Sequence, residues 1–415
     1  MTPAPSRSAV KNVPPILSGP LYVAIRGAIA LAGAGDLGGA VRLAESAGRG
    51  FALARFNRTR LERGVENLAV AFPDWPLERR RAYAVRAYQH LFTLGVEMAF
   101  TPRLLTDDTW SEHIRIGNLG QAVRRLLGDR PCVLVTGHCG NWELLGFTLS
   151  MLGFPVHALY RPLDLAALDR WARQTRALRG LIMVDKFGAM RALPQIMARG
   201  HPVGFVADQN GGDRGLFVPF FNRLASSYKS VAIAAQAHRA PILCGQARRL
   251  VWDRDGAAEA AGPAEAGVPR EMGFSRWSGE PFRYRIDVID VIPPEDWEGQ
   301  PDPLFYITAR YRRAIEAMVR LSPEQNLWMH RFWKSRPRHE RLGRPFPAAL
   351  REKIRQLPWI SAEDLERIEE WSRRDALALA AERADEPVRP EVPDAGAENG
   401  DGPPGLAGGV ADTLG

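Results

Sequence analysis

Between about residues 115 and 295 the chain alternates short apolar runs with amphipathic stretches, and this alternation limits the possible folds more than any other feature. The runs at 132–136 (CVLVT), 156–160, 202–207 (PVGFVA), 241–247 and 284–292 read as strands covered on both faces. The stretches at 141–152, 166–178, 189–199 and 227–238 fit helices between them. Strands that alternate with helices predict an α/β domain, a mixed sheet flanked by helices. Residues 253–281 are rich in Gly, Pro and Ala and read as a loop insertion between two strands, and a helix is expected at 304–321.

The flanks have a different texture. Residues 40–100 read as helical with one break at Phe72-Pro73-Asp74-Trp75-Pro76. Leu61, Val65, Leu68 and Phe72 recur at helical spacing before it, and Tyr83, Ala87, Leu91, Leu94 and Met98 after it. The stretch 16–34 is mostly apolar but contains Pro20 and Arg26. A membrane span needs about 20 predominantly apolar residues, and a central Arg costs about 2.5–3.5 kcal/mol. An interfacial, membrane-associating helix is therefore expected there rather than a span or a cleaved signal peptide. Ser361 and Asp364 give a capping-box-like start to a helix over 361–382. Beyond Ala384 the chain is Pro, Gly, Ala and acid without periodicity, and disorder is expected. The expected organisation is a membrane-associating segment (1–50), a main domain (51–345), a helical extension (346–383) and an acidic tail (384–415).

Charge narrows the partners. The net charge of +8 combines a body (1–383) of +14 with a tail of −6, and 50 of the 55 basic residues are Arg. Acidic partners follow: nucleic acid, anionic lipid or an acidic carrier protein. The arginines are interleaved with Asp and Glu and no nucleic-acid motif is present, so no nucleic acid is expected. Cys132, Cys139 and Cys244 lack metal-ligand spacing and suit a reducing compartment. His90, His157 and His201 form no metal pattern, and no metal is expected.

The chemistry sits in PCVLVTGHCGNWELLGFTLSML (131–152), where an apolar strand runs into Gly137-His138-Cys139-Gly140-Asn141 and then an apolar helix. His138 and Glu143 would not share one face of a continuous helix. The glycines allow a tight turn instead, with Asn141 as N-cap and Glu143 in the first helical turn beside His138. A base and an orienting carboxylate at the carboxyl end of a strand occupy the place where open α/β sheets build their sites. Such an imidazole can take the proton of a hydroxyl as it attacks an acyl carbonyl. No G-x-S-x-G or H-E-x-x-H is present, which leaves serine-hydrolase and zincin chemistry unsupported. A loop histidine without chemical role fits the bare spacing as well.

H-x4-[DE] after a buried strand is the hallmark of glycerolipid-type acyltransferases. The surrounding segments resemble the bacterial lipid A late (lauroyl/myristoyl) acyltransferase family, which also includes enzymes acting on phosphatidylinositol mannosides. The matching stretches are NLAVAFPDW (67–75), GHCGNWE (137–143), LYRPLD (159–164) with TRALRG (175–180), RGHPVGFVADQN (199–210), GLFVPFFNRLAS (215–226) and WMHRFWKSRP (328–337). They follow in order over about residues 55–340.

The resemblance implies a glycerolipid-acyltransferase-like fold and transfer of a fatty acyl chain from a thioester donor, acyl carrier protein or coenzyme A, to a hydroxyl of a membrane glycolipid. That transfer would occur at the cytoplasmic face of the bacterial inner membrane. It assigns His138 as general base and Glu143 as its partner. Asn141, Arg161, Arg176, Arg179, Asp208 and Gln209 lie in matching segments and are candidate substrate-binding residues. No cofactor beyond the acyl donor is implied. Other acceptor lipids, a thioesterase using the same base on water, and a non-catalytic anionic-lipid-binding protein are the alternatives.

Overall fold

A computed structural model describes residues 15–117, 119–186, 188–250 and 282–384. The expectations for residues 1–14, for the 253–281 insertion and for the tail beyond Ala384 lie outside the described residues.

Four helices open the chain: α1 (Pro15–Ala34), α2 (Leu37–Leu53), α3 (Arg58–Ala71) and α4 (Leu77–Leu104). Then come α5 (Trp110–His113), β1 (Ile114–Ile116), α6 (Gly120–Leu126), β2 (Val133–Thr136), α7 (Trp142–Met151), β3 (His157–Tyr160) and α8 (Ala166–Ala177). They are followed by β4 (Ile182–Asp185), α9 (Ala189–Ala198), β5 (Val203–Val206), β6 (Leu216–Phe220), β7 (Arg223–Ser227) and α10 (Ser230–Ala237). The chain continues through β8 (Ile242–Arg249), β9 (Tyr284–Ile292), α11 (Pro303–Leu321), α12 (Arg338–Arg341), α13 (Ala348–Arg355) and α14 (Ala362–Ala384).

Seven strands form one sheet in the order β1-β9-β8-β2-β5-β3-β4, while β6 and β7 make a separate hairpin. β2 lies between β5 and β8, parallel to both, and β8 and β9 run antiparallel. The expected α/β mixed sheet flanked by helices is the observed fold. Val133, Val135, Val203, Phe205, Ile242 and Cys244 share the main core with α10 and α11. Leu134, Gly204, Ala158 and Leu243 alternate to the other face, which α6 and α7 cover. Burying each large side chain stabilises the fold by about 1.5–3 kcal/mol, which is why both faces must be covered.

The expected break at 72–76 separates α3 from α4. Pro76 disfavours helical backbone at Trp75, and Phe72 stacks on Trp75 with ring centroids 4.2 Å apart. A second break, at Ala54 to Asn57, carried no Pro or Gly to signal it. β1 and β4, the two edge strands of the sheet, were not expected. The hairpin also escaped the pattern. Its turn is Phe221-Asn222 with both φ values positive, 51° and 54°, instead of the Asn-Gly that usually marks such turns. At the far end, Ser361 and Asp364 exchange backbone–side-chain hydrogen bonds, forming the expected capping box. Ile354, Leu357 and Ile368 of the last helices are buried in the main core. Among the described residues no helix is long and apolar enough to cross a membrane, and α1 contains Pro20.

Candidate active site

β2 and β5 are adjacent and parallel and end together at the Thr136–Val206 pair. The segments that leave them, Gly137-His138 and Ala207-Asp208, therefore emerge side by side. Asp208 is 1% exposed. Its Oδ2 accepts the backbone N–H of His138 at 2.9 Å, and its Oδ1 lies 2.6 Å from His138 Nδ1. Burial opposes ionisation of Asp208, but its interaction with His138, through both the imidazole and the backbone N–H, outweighs it and holds the carboxyl well below the usual range. An ionised carboxylate only accepts, so the neutral form of the ring is the tautomer with its proton on Nδ1 and its lone pair on Nε2. Arg312, fully buried, donates from Nη1 to the Asp208 carbonyl at 2.6 Å and lies over the Phe220 ring.

The carboxylate at His138 Nδ1 is thus Asp208, where the spacing had suggested Glu143. Glu143 accepts both Nε and Nη2 of Arg176, at 2.7 and 2.6 Å, and the Trp142 indole N–H at 3.2 Å. The physical reason is geometric. Glu143 occupies the first turn of α7, which points it across to α8, while the parallel register of β2 and β5 aims Asp208 at the imidazole. The α7 N-terminus still favours a carboxylate there. Asn141 caps α7 as expected, accepting the Leu144 N–H at 2.9 Å.

The loop that carries His138 is clamped on several sides. His138 O accepts from Leu327 N at 3.1 Å, and Gly140 N donates to Gln325 O at 3.0 Å. His90 Nε2 lies 2.9 Å from Gly140 O, and Asn141 N donates to Ala247 O at 2.7 Å. Gly140 has φ +63°, and a Cβ there would stand 2.3 Å from Ala247 O, so the close approach of the loop to β8 requires glycine. Below the loop, Glu97 is fully buried and holds Arg249 through both guanidinium nitrogens, together with the Tyr284 hydroxyl and Asn141 Nδ2. His330 and Trp142 flank the imidazole, each with ring centroids 4.9 Å from it. Burial pushes His330 down to about 4, so it is neutral at physiological pH.

The other expected site residues separate. Gln209 follows Asp208 and is half-buried, Arg161 is exposed and lies 3.6 Å from Asp164, and Arg179 sits half-buried in the turn after α8. Among the described residues, no hydrogen bond or ion pair joins any of the three to His138 or Glu143. Cys139 is buried in the same loop, and burial pushes its thiol up, which disfavours a thiolate. Glu97, Arg249, Tyr284 and Arg312 drew no attention in the sequence, and His90 was weighed only as a metal ligand, because their partners lie far along the chain and no local spacing announces them. His330 lies in the WMHRFWKSRP stretch, which by itself does not place it beside His138.

Two cavities adjoin the site. A small one is lined by Leu94, Met98, Thr101, Asn141, Glu143 and Arg176. An apolar one of about 100 Å³ lies between the sheet and α6/α7, with Trp142, Leu134, Ala158, Gly204 and Leu243 in its wall.

Residues 19–251 match the family described as bacterial lipid A biosynthesis acyltransferase. The lipid A biosynthesis palmitoleoyltransferase of Escherichia coli (strain K12) is 25% identical over 276 residues, 66% of this chain and 78% of the relative. The lipid A biosynthesis acyltransferase of Shigella flexneri matches to the same extent. Because the matched region takes in more than half of the chain, with His138 and Asp208 after their strand ends and Glu143 at the start of α7 inside it, the chain belongs to the bacterial lipid A biosynthesis acyltransferase family and is an acyltransferase.

Proposed function

We propose that the chain moves a fatty acyl group from a thioester donor, acyl carrier protein or coenzyme A, to a hydroxyl of a lipid A-type membrane glycolipid, with His138 as general base. The observation that carries this reading is the bond of His138 Nδ1 to buried Asp208, which leaves Nε2 able to accept a proton. Nε2 takes the proton of the acceptor hydroxyl as its oxygen bonds to the thioester carbonyl carbon. The C–S bond then breaks, and the same Nε2–H protonates the leaving thiolate, so the base is regenerated. Asp208 stabilises the imidazolium between the two steps.

Glu143 acts through Arg176. It fixes the guanidinium at the wall of the small cavity, where it meets the polar part of a substrate. The acyl chain occupies the apolar cavity beside Trp142, whose wall is aliphatic and aromatic apart from Thr136 and Asp287. The exposed Leu21, Val23 and Leu31 of α1, with a basic body, support attachment to the surface of the inner membrane from its cytoplasmic side.

The test is transfer of radiolabelled acyl groups from acyl carrier protein and from coenzyme A to a lipid A precursor in mixed micelles. His138→Ala is expected to lower transfer by about 10²–10⁴-fold without loss of folding. Undiminished transfer sinks the assignment. Release of free fatty acid that ignores the acceptor would instead make the chain a thioesterase.

A further inference from the structure

Glu97 is 0% exposed, lies in the second half of α4, and has no part in the proton transfer described above. An acidic side chain is almost never fully buried unless it is paired. Both terminal nitrogens of Arg249, the Tyr284 hydroxyl and, at 3.3 Å, Asn141 Nδ2 donate to it. Burial pushes the Tyr284 hydroxyl well up, so it keeps its proton. It therefore donates to Glu97 while its oxygen accepts from Asn141 Nδ2 at 3.4 Å.

Asn141 links this cluster to the site. With Nδ2 facing Glu97 and Tyr284, its amide presents Oδ1 to the Leu144 N–H at 2.9 Å and caps α7. The reverse orientation would set oxygen against the Glu97 oxygens and an NH2 group against the Leu144 N–H. Glu97 thereby selects the orientation that caps the helix, and that helix carries Trp142 against the His138 ring and Glu143 against Arg176. A second route runs through the backbone. Arg249 N donates to Gln325 Oε1 at 2.8 Å and Arg249 O accepts from Gln325 Nε2 at 2.9 Å, while Gln325 O accepts the Gly140 N–H. His90 stands about two turns before Glu97 on the same face of α4 and donates from Nε2 to Gly140 O. One helix thus reaches both residues of the Gly140-Asn141 step that lies between His138 and Glu143.

We infer that Glu97 is a positioning residue for acyl transfer, fixing the Asn141 amide directly and the Gly140 peptide through Arg249 and Gln325, so that His138 and the start of α7 keep one arrangement. The role rests on the acyl-transfer reading for the reaction it serves. It differs from that of a buried ion pair that serves stability alone, since such a pair can be replaced by apolar residues of similar size without loss of stability. The loss of Glu97 falls on the rate of the chemical step rather than on donor binding. None of Glu97, Asn141, Arg249 and Tyr284 is in the described wall of the apolar cavity that takes the acyl chain.

Two variants of the full-length protein test this role. Glu97→Leu with Arg249→Met removes both charges together, so no lone charge stays buried. Asn141→Ser keeps a capping oxygen for the Leu144 N–H while dropping the amide link to Glu97. Each is expected to lower kcat for acyl transfer by about tenfold or more, with KM for the thioester donor and the melting temperature within the wild-type range. Combining them should cost no more than the worse of the two. Hydrogen exchange needs no substrate. In the Glu97→Leu/Arg249→Met protein it should quicken by about tenfold at the Gly140 and Leu144 amides and stay unchanged along β2 and β5. A paired variant that folds and transfers at the wild-type rate overturns the role, as do additive losses in the combination. Faster exchange throughout β2 and β5 also overturns it, because the pair would then hold the whole fold rather than the loop. If the paired substitution prevents folding, Asn141→Ser decides: an unchanged kcat overturns the role and a tenfold fall at unchanged KM supports it. A wild type that transfers no acyl group defeats the acyl-transfer reading, while exchange at Gly140 and Leu144 still decides whether Glu97 holds the start of α7.

Discussion

At the scale of single residues, His138 and its two neighbouring carboxylates divide the work. Asp208 sets the imidazole tautomer from a buried position at 2.6 Å, whereas Glu143 is committed to Arg176. Asp208→Asn retains the shape but permits the wrong tautomer, so kcat for acyl transfer is expected to fall by about 10³–10⁴-fold with circular dichroism unchanged. Glu143→Gln and Arg176→Gln should each reduce kcat/KM, and the double variant should be no worse than the more damaging single one. Additive losses in that cycle would show that the two act separately. The strand–turn–helix unit that holds His138, Asn141 and Glu143 was legible in the sequence from their spacing, whereas the pairing of Glu143 with Arg176 was not. The role of Asp208 was not, because it depends on which strand lies beside β2. That pairing joins residues 70 positions apart, and no local pattern encodes it.

At the scale of elements, the sheet combines large apolar residues on one face with small ones on part of the other. Gly204 pairs with Leu134 on one side and with Ala158 on the other, and the three together floor the apolar cavity. A Cβ on Gly204 would meet Val156 no closer than 3.8 Å, so the first carbon of a side chain fits there and the rest would extend into the cavity. Gly204→Leu is expected to shift donor preference toward shorter acyl chains, raising KM for the longest donors by at least about tenfold. A series of acyl thioesters of graded length reads this out, and an unchanged length profile would move the acyl chain elsewhere. The five apolar runs revealed the central strands, and period and capping residues revealed the long helices. β1, β4 and the β6–β7 hairpin were hidden. β1 and β4 are the two edge strands, with mostly exposed or half-buried positions and no buried run to mark them, and the hairpin turn uses Phe221-Asn222 in place of a glycine.

At the scale of the whole molecule, buried neutral histidines couple the site to acid stability. Burial pushes His330 down to about 4 and, with the Arg249 charge adding to it, His90 down to about 3. Both values lie below that of an unfolded histidine, so in acid the unfolded chain binds protons that the folded chain refuses. Their contribution is therefore complete above about pH 6.5 and declines as pH falls toward their folded values, by about 1.4 kcal/mol per pH unit for each group. Urea unfolding across that window should show this slope, and His90→Gln, which keeps a donor for Gly140 O, should remove about half of it. A pH-independent midpoint would contradict the burial of both rings. The clamp on the His138 loop has a consequence for synthesis. Leu327 and Gln325 supply two of its backbone bonds, and Asn67 donates to the Trp328 and His330 carbonyls, joining the first part of the chain to the last. A nascent chain on the ribosome cannot close its reaction centre until residues near 330 have emerged. The loop that carries His138 therefore lacks part of its support through most of the chain's own translation.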